Sequence, residues 1–146
     1  MYWSSWSNRE AKIEQASMDG SNRSTVVLFL RSWWHRPANP NGLALDPETS
    51  RLYWVDTTKS LIQYTDLGLG DGSITTLPVP SYYLTNAYGL TLKENTLYWS
   101  TSGSIYAADK KTGGNVRRLV RNMASPRDVH AYHNYSAIPG KKKDYF

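Results

Sequence analysis

Short runs in which apolar and polar residues alternate recur along the chain. Three of them cover residues 12–18, 61–67 and 104–109. A period of two is typical of a β-strand with one buried face. Turn residues such as Asp19-Gly20 join each run to a further short apolar run. Because no segment shows the period of an amphipathic helix, the pattern predicts an all-β chain.

The dipeptide Tyr-Trp marks an internal repeat. It occurs as Tyr2-Trp3, Tyr53-Trp54 and Tyr98-Trp99, at intervals of 51 and 45 residues. A short motif centred on Gly42 or Gly89 precedes the second and third copies, and residues 126–132 form a weaker copy of this motif. Repeats of this length are typical of propeller blades that contain four strands each.

We assign four strands to each repeat and name them A to D from the propeller axis outward. Strand A contains Gly42 or Gly89, strand B contains Tyr-Trp, and the two runs beside the next turn are C and D. The chain then reads B-C-D, A-B-C-D, A-B-C-D, A. Strand A is apolar on both faces, as expected for an antiparallel blade that packs against neighbours on both sides. The sequence therefore predicts three blades over residues 1–133 and a basic tail over residues 134–146.

Composition narrows the classes of function. The chain has six Trp and eleven Tyr but no Cys, which excludes disulfides, thiol catalysis and thiolate metal sites. Part of its formal charge of +5 lies in the tail, in Lys141-Lys142-Lys143. The charge that is spread over the rest of the chain is too diffuse to indicate nucleic-acid binding. No apolar run approaches the roughly 18 residues of a membrane span, and no signal peptide is visible.

The repeated motifs resemble those of the low-density lipoprotein receptor class B (YWTD) propellers, which occur in lipoprotein receptors, the Wnt co-receptors and nidogen. The best stretches are residues 1–6, 12–14, 18–23, 40–46 and 52–56. The resemblance implies a six-bladed ring, of which this chain has half, and an extracellular or receptor-ectodomain location. It also implies a non-enzymatic module that binds a secreted or matrix protein or an adjacent receptor module.

One motif position departs from the family pattern. Asp56 keeps the acidic fourth residue, whereas Ser5 and Thr101 replace it in the other copies. The resemblance implies that this aspartate forms hydrogen bonds between blades. We therefore expect the two substitutions to affect local rigidity and not the fold.

The resemblance also indicates where a ligand docks. Propeller ligands dock on the flat face around the axis, where the loops that enter strand A and leave strand B lie; we call it the axial face. Tryptophan, tyrosine and arginine are frequent anchors of interfaces. For Trp33 and Trp34, ligand binding and loop packing both stay open, whereas Trp3, Trp54 and Trp99 are expected in the core. The candidate ligand-binding residues are Trp6, Trp33, Trp34, His35, Asn41, Tyr88 and Arg127.

One alternative is an enzyme. Residues 40–44 also resemble an inner strand of the gluconolactonase-like propellers, in which an asparagine and acidic residues hold a divalent metal on the axis. Here Tyr88 and Arg127 stand at the equivalent positions, and arginine opposes a cation. We expect no catalytic residue, no metal and no cofactor. The other alternative is a structural fragment that requires further blades.

Two further expectations concern the edges of the predicted arc. The orphan strand A at residues 126–132 suggests a homodimer, in which two copies close a six-bladed ring. Five cations near the last outer strand are expected to form a solvated rim, with an acidic glycan or protein as the alternative ligand. They are Lys110, Lys111, Arg117, Arg118 and Arg121.

Overall fold

Antiparallel sheets make up the computed structural model, which describes residues 1–7, 10–30 and 37–132. Blade 1 contains three strands in the order β1-β2-β3, and blades 2 and 3 contain four each, in the orders β4-β5-β6-β7 and β8-β9-β10-β11. The prediction of an all-β chain with three blades is confirmed. The predicted tail at residues 134–146 lies outside the described residues.

The strands are short, as expected from runs bounded by turn residues. In blade 1 they are β1 (Tyr2–Trp6), β2 (Ala11–Gln15) and β3 (Ser24–Phe29). In blade 2 they are β4 (Pro40–Asp46), β5 (Arg51–Asp56), β6 (Leu61–Asp66) and β7 (Thr75–Thr76). In blade 3 they are β8 (Leu90–Lys93), β9 (Thr96–Ser100), β10 (Ile105–Asp109) and β11 (Arg117–Val120), and a single 3-10 turn (Ser81–Tyr83) precedes this blade in the described part.

Strand pairing repeats from blade to blade. In each blade the tryptophan of strand B lies directly opposite the same position of strand C: Trp3 opposite Glu14, Trp54 opposite Gln63 and Trp99 opposite Tyr106. Since a slip of one residue would turn every side chain to the other face, this common register places equivalent residues on equivalent faces.

Strand β5 separates two hydrophobic cores. Leu52 and Trp54 pack into a core with Ile13 and Val27 of blade 1. Tyr53 and its neighbours on the opposite face of β5 pack into a larger core with blade 3. Successive residues of a strand point to opposite faces, so the Tyr-Trp dipeptide contributes one ring to each core.

Burial of the motif rings depends on whether a neighbouring blade is present. Tyr53, Trp54 and Trp99 are fully buried. Trp3 and Tyr98 are only half-buried, because they point away from the neighbouring blade, on the outer sides of blades 1 and 3. The expectation of a core position is therefore correct for Trp54 and Trp99 and wrong for Trp3.

Glycine in strand A allows the inner segments of neighbouring blades to touch. A Cβ on Gly42 would lie 2.3 Å from the Leu90 nitrogen and 2.6 Å from the Tyr88 oxygen. The Gly42 N–H donates to that Tyr88 oxygen at 2.8 Å. Only a residue without a side chain permits this approach.

The last predicted strand occupies the expected place without forming a strand. A Cβ on Gly89 would lie 2.7 Å from the Asp128 Cα. Residues 126–132 therefore lie against Gly89 in the same way as the inner segment of blade 3 lies against Gly42. The Ala131 N–H donates to the Thr91 hydroxyl, but the described residues 126–132 belong to no sheet. A B strand beside them would be needed to satisfy the ladder of backbone groups.

Asp56 connects two parts of its own blade. Its Oδ1 accepts the Lys59 N–H at 3.0 Å in the β5–β6 turn and the Asn39 N–H at 3.3 Å just before β4. The implied bond between blades is therefore replaced by bonds within blade 2. In blade 3 the hydroxyl of Thr101 instead donates to the Ser104 carbonyl, which closes the equivalent turn without a buried charge.

A buried ion pair joins blades 2 and 3. The Lys110 Nζ lies 2.8 Å from Asp46 Oδ2 and 3.1 Å from Glu48 Oε2, and the Lys110 side chain is 1 % exposed. The expectation that Lys110 is part of a solvated rim is wrong, because its side chain crosses the interface to meet the end of β4. The cations that follow it at 111, 117, 118 and 121 are exposed as expected.

Candidate protein-binding surface

The axial face is the end of the sheets at which strands B end and the inner segments begin. Trp6, Thr57 and Ser102 are equivalent by the repeat, because each lies three residues after the tryptophan of its Tyr-Trp pair, at this end of its sheet. The inner segments start beside them with Asn41, Tyr88 and Arg127.

Asn41 is engaged in a contact between blades. Its side-chain amide donates to the Thr57 hydroxyl at 2.5 Å, and this hydroxyl donates to the Ala87 carbonyl at 2.6 Å. The chain of two bonds connects β4 to the start of the inner segment of blade 3. Asn41 lies where the sequence predicts, but its amide already has a partner.

Tyr88 and Arg127 meet directly. The Arg127 guanidinium carbon lies 4.8 Å from the centre of the Tyr88 ring, which is a cation–π distance. These two residues line an open cavity of about 180 Å³ together with Asn86, Ser102, Ser125 and Pro126. Two of the three positions that the repeat makes equivalent thus contribute to one polar pocket.

Trp6 is the most exposed tryptophan of the described residues. It ends β1 and is 56 % exposed, whereas the equivalent positions carry the small side chains of Thr57 and Ser102. An exposed indole at the end of β1 is available for contact with a partner. The other candidates, Trp33, Trp34 and His35, lie outside the described residues.

Sequence reasoning missed Tyr82. This residue lies in the 3-10 turn that leads from blade 2 to blade 3, and it is 68 % exposed. Its ring contacts Tyr83 at 4.2 Å, Tyr83 contacts Tyr106 at 5.5 Å, and Tyr106 stacks on Trp99 at 5.8 Å. A continuous series of rings therefore supports an exposed tyrosine from the core. The run Ser81-Tyr82-Tyr83 between two prolines and strand A was the available signal.

The described residues offer little for metal chemistry. Within residues 1–7, 10–30 and 37–132 there is no group of three His, Cys, Asp or Glu side chains that could hold a metal ion. His130 contacts Asp128 at 2.8 Å, and His133 lies outside the described residues. That same part of the chain contains no helix with the length and apolar character needed to cross a membrane.

Known sequences match the repeats of this chain. The model of the family described as low-density lipoprotein receptor repeat class B matches residues 1–47. The vitellogenin receptor Yl of Drosophila melanogaster is 35% identical over 137 residues, and the vitellogenin receptor of Solenopsis invicta is 32% identical over 136. Each match covers 92% of this chain but only 6% and 7% of the two receptors.

Solved structures match the fold. A chain of the crystal structure of a nidogen/laminin complex superposes with a TM-score of 0.62 at 26% identity, covering 86% of this chain and 42% of that one. A gluconolactonase from Xanthomonas campestris superposes with a TM-score of 0.55 at 16% identity, covering 82% of this chain and 37% of that one. The second likeness concerns the fold alone.

Proposed function

The chain belongs to the low-density lipoprotein receptor class B (YWTD) propeller family, and on this basis we propose that it is a non-enzymatic module that binds protein ligands on its axial face. The observation that carries the proposal is the group of exposed aromatic and cationic side chains on that face. Trp6 and Arg127 are exposed there, the half-buried ring of Tyr88 supports Arg127, and the exposed Tyr82 lies in the turn that leads to the inner segment of blade 3.

Rigid support of these side chains favours binding. Tyr82 is backed by Tyr83, which contacts Tyr106, and Arg127 is held against Tyr88. A side chain that is already ordered loses less conformational entropy when a partner covers it. Aromatic residues and arginine are also the most frequent hot spots of protein interfaces.

The ligand class follows from the relatives. The matched receptors are named for vitellogenin, and the matched structure is a complex of nidogen with laminin. We propose a secreted or matrix protein, or an adjacent receptor module, as the ligand of this chain. This proposal implies an extracellular or ectodomain location.

Binding to immobilised vitellogenin and to a laminin fragment tests the proposal. Full-length chain and the Trp6→Ala and Tyr82→Ala variants are compared by biolayer interferometry. We expect saturable binding of at least one ligand and a loss of about tenfold or more in each variant, since hot-spot truncations cost about 2 kcal/mol.

Leu119→Ala is the matched control. Leu119 is 47% exposed on β11, the strand of blade 3 that lies farthest from the inner strand β8, so its truncation is expected to change affinity less than about twofold. Equal losses in all three variants, or no binding of either ligand, would contradict docking on the axial face.

A homodimer is the second element of the proposal. Blade 1 has no inner strand beside β1 among the described residues, while residues 126–132 lie next to Gly89 without a sheet of their own. We propose that this segment of each copy pairs with β1 of the other and closes a ring of six blades. Light scattering at micromolar concentration is expected to give twice the chain mass; a folded monomer would exclude the dimer.

A further inference from the structure

The pocket beside Arg127 is built from two successive repeats. Asn86 and Tyr88 come from the start of the inner segment of blade 3, and Ser125 to Arg127 come from the equivalent segment that follows. Ser102, which leaves strand B of blade 3, closes the pocket between them, and the Ser125 N–H donates to its carbonyl at 3.1 Å. The pocket is therefore fixed by the fold and is not confined to one loop.

Arg127 supplies a positive charge to this pocket. Among the described residues its guanidinium forms no ion pair. The carboxylate of the adjacent Asp128 is occupied, because it accepts the Val129 N–H and contacts the His130 ring. Stacking on Tyr88 covers one face of the planar guanidinium and leaves its N–H edge available for a ligand.

The other lining groups can also serve an anion. Asn86, Ser102 and Ser125 carry an amide and two hydroxyls, all of which can donate hydrogen bonds. Within residues 1–7, 10–30 and 37–132 their side chains have no hydrogen-bond partner, and no carboxylate lines the pocket. Unpaired donors around an unpaired guanidinium form a site that favours a small, planar anion.

We infer that this pocket receives the carboxylate of an aspartate or glutamate side chain from the protein ligand. The inference rests on the proposed function and adds the chemical class of the ligand residue. A volume of about 180 Å³ suits one short side chain and not a folded element. The formal charge of +5 adds a general attraction for an acidic partner.

Titration of the isotopically labelled full chain with N-acetylaspartate N-methylamide tests the inference by NMR. Saturable shifts are expected at the amides of Tyr88, Ser125 and Arg127 and at the Arg127 Nε. The neutral N-acetylasparagine N-methylamide has nearly the same shape, so it is expected to bind at least about tenfold more weakly.

Substitutions identify the group responsible. Arg127→Gln is expected to weaken binding of the aspartate probe by about tenfold or more, and Arg127→Lys by less, because lysine keeps the charge but not the planar fork. Arg118→Gln removes the same charge from the exposed strand β11 and is expected to leave binding unchanged. Unaltered amide dispersion shows that each variant is folded.

Three results would overturn the inference. They are equal binding of the two probes, equal effects of Arg127→Gln and Arg118→Gln, and tighter binding of inorganic phosphate or sulfate than of the aspartate probe. If one occurs while Trp6→Ala and Tyr82→Ala still weaken protein binding, only the ligand class is wrong. If protein binding is also absent, the proposed function fails with it.

Discussion

Among the described residues, blade 2 packs against blade 1 through apolar side chains, whereas it meets blade 3 through both apolar side chains and hydrogen-bonded groups. The first interface centres on Trp54, whose ring meets Phe29 edge-on at 5.7 Å. The second contains the larger core, the Gly42–Tyr88 backbone bond, the Thr57–Ala87 bond and the buried Lys110–Asp46 pair.

The difference follows from the inner strands. Blades 2 and 3 both have one, β4 and β8, so their backbones approach at Gly42 and polar groups near both ends of β4 find partners. Apolar packing is non-directional, while hydrogen bonds depend on distance and angle. We conclude that the second interface sets the angle between blades more strictly than the first.

The largest expected effects come from the two buried tryptophans. Trp54→Ala and Trp99→Ala should each lower the free energy of unfolding by about 3–5 kcal/mol. Trp99→Ala should cost about 1 kcal/mol more, because the Tyr83 carbonyl loses its indole donor.

Urea unfolding of the two variants measures this difference. Trp3→Ala is the control and should cost about 1 kcal/mol, since its ring is only half-buried. A cost for Trp3→Ala equal to the other two would mean that the outer side of blade 1 is covered in solution.

Removal of one partner of the buried ion pair should have the next largest effect. Asp46→Asn leaves the Lys110 ammonium buried beside only the exposed Glu48, so we expect a loss of about 3 kcal/mol. The double variant Asp46→Asn/Lys110→Met should be more stable than Asp46→Asn alone, because no unpaired charge remains.

Denaturant midpoints of the single and double variants test this order. Lys111→Met is the control at the neighbouring exposed position and should change stability by less than about 0.5 kcal/mol. A double variant as unstable as Asp46→Asn would show that the pair's geometry, and not its charge balance, holds the interface.

Substitution of Gly42 and Gly89 should show that the contact between blades 2 and 3 contributes more to stability than the contact between blade 3 and residues 126–132. Gly42→Ala forces a Cβ against the Leu90 backbone and should cost about 2 kcal/mol, within the range for overpacked sites. Gly89→Ala should cost less, because it displaces only residues 126–132, which belong to no sheet.

Chemical denaturation and amide shifts of residues 126–132 distinguish the two glycine variants. Gly103→Ala is the control, since its Cβ would have no neighbour nearer than 3.8 Å. If Gly89→Ala proved as costly as Gly42→Ala, residues 126–132 would be an integral strand, as the sequence alone predicts.

Acid sensitivity should be the smallest effect. Burial raises the pKa of Asp46, but hydrogen bonds from Lys110 and Thr49 outweigh it and hold the pKa below its ordinary value. The unfolded chain therefore binds this proton first as the pH falls. The contribution of Asp46 to stability is present above its unfolded pKa of about 3.9 and is lost below it.

Comparison of the wild type with Asp46→Asn between pH 6 and pH 3 isolates this term. The difference in stability between them should narrow as the pH falls. Glu14, whose pKa the hydrogen bond from Arg23 lowers on the outer side of blade 1, should leave some acid sensitivity in the variant. A constant difference would mean that Asp46 gains no stability from its charge.

The sequence predicts the features that the repeat imposes. The spacing of the Tyr-Trp pairs, the order of strands A to D and the number of blades all follow from local patterns that recur. The position of residues 126–132 is predicted too, but not their lack of sheet pairing, because a strand requires a partner. Trp3 is only half-buried for a similar reason. Its burial requires another blade on the outer side of blade 1, and the local sequence around Trp3 does not show whether that blade is present.

Contacts between distant segments were not predictable from the pattern. Lys110 stands beside Lys111 in a turn, where a solvated cation is the ordinary expectation, and nothing in its surroundings indicates Asp46. Tyr82 was missed because its connection to the core runs through Tyr83 and Tyr106, which lie in different elements. Of the candidate surface, the sequence predicts Trp6, Tyr88 and Arg127 at the axial face but not the stacking of the last two.

Strand β5 belongs to two interiors at once, with alternate side chains committed to opposite neighbours. A proteolytic or genetic cut that isolates blade 2 would therefore expose Leu52 and Trp54 on one surface and Tyr53 and Val55 on the other. The smallest fragment of this chain that could fold is a pair of adjacent sheets. A single repeat is the unit of the sequence, but it is not a unit of stability.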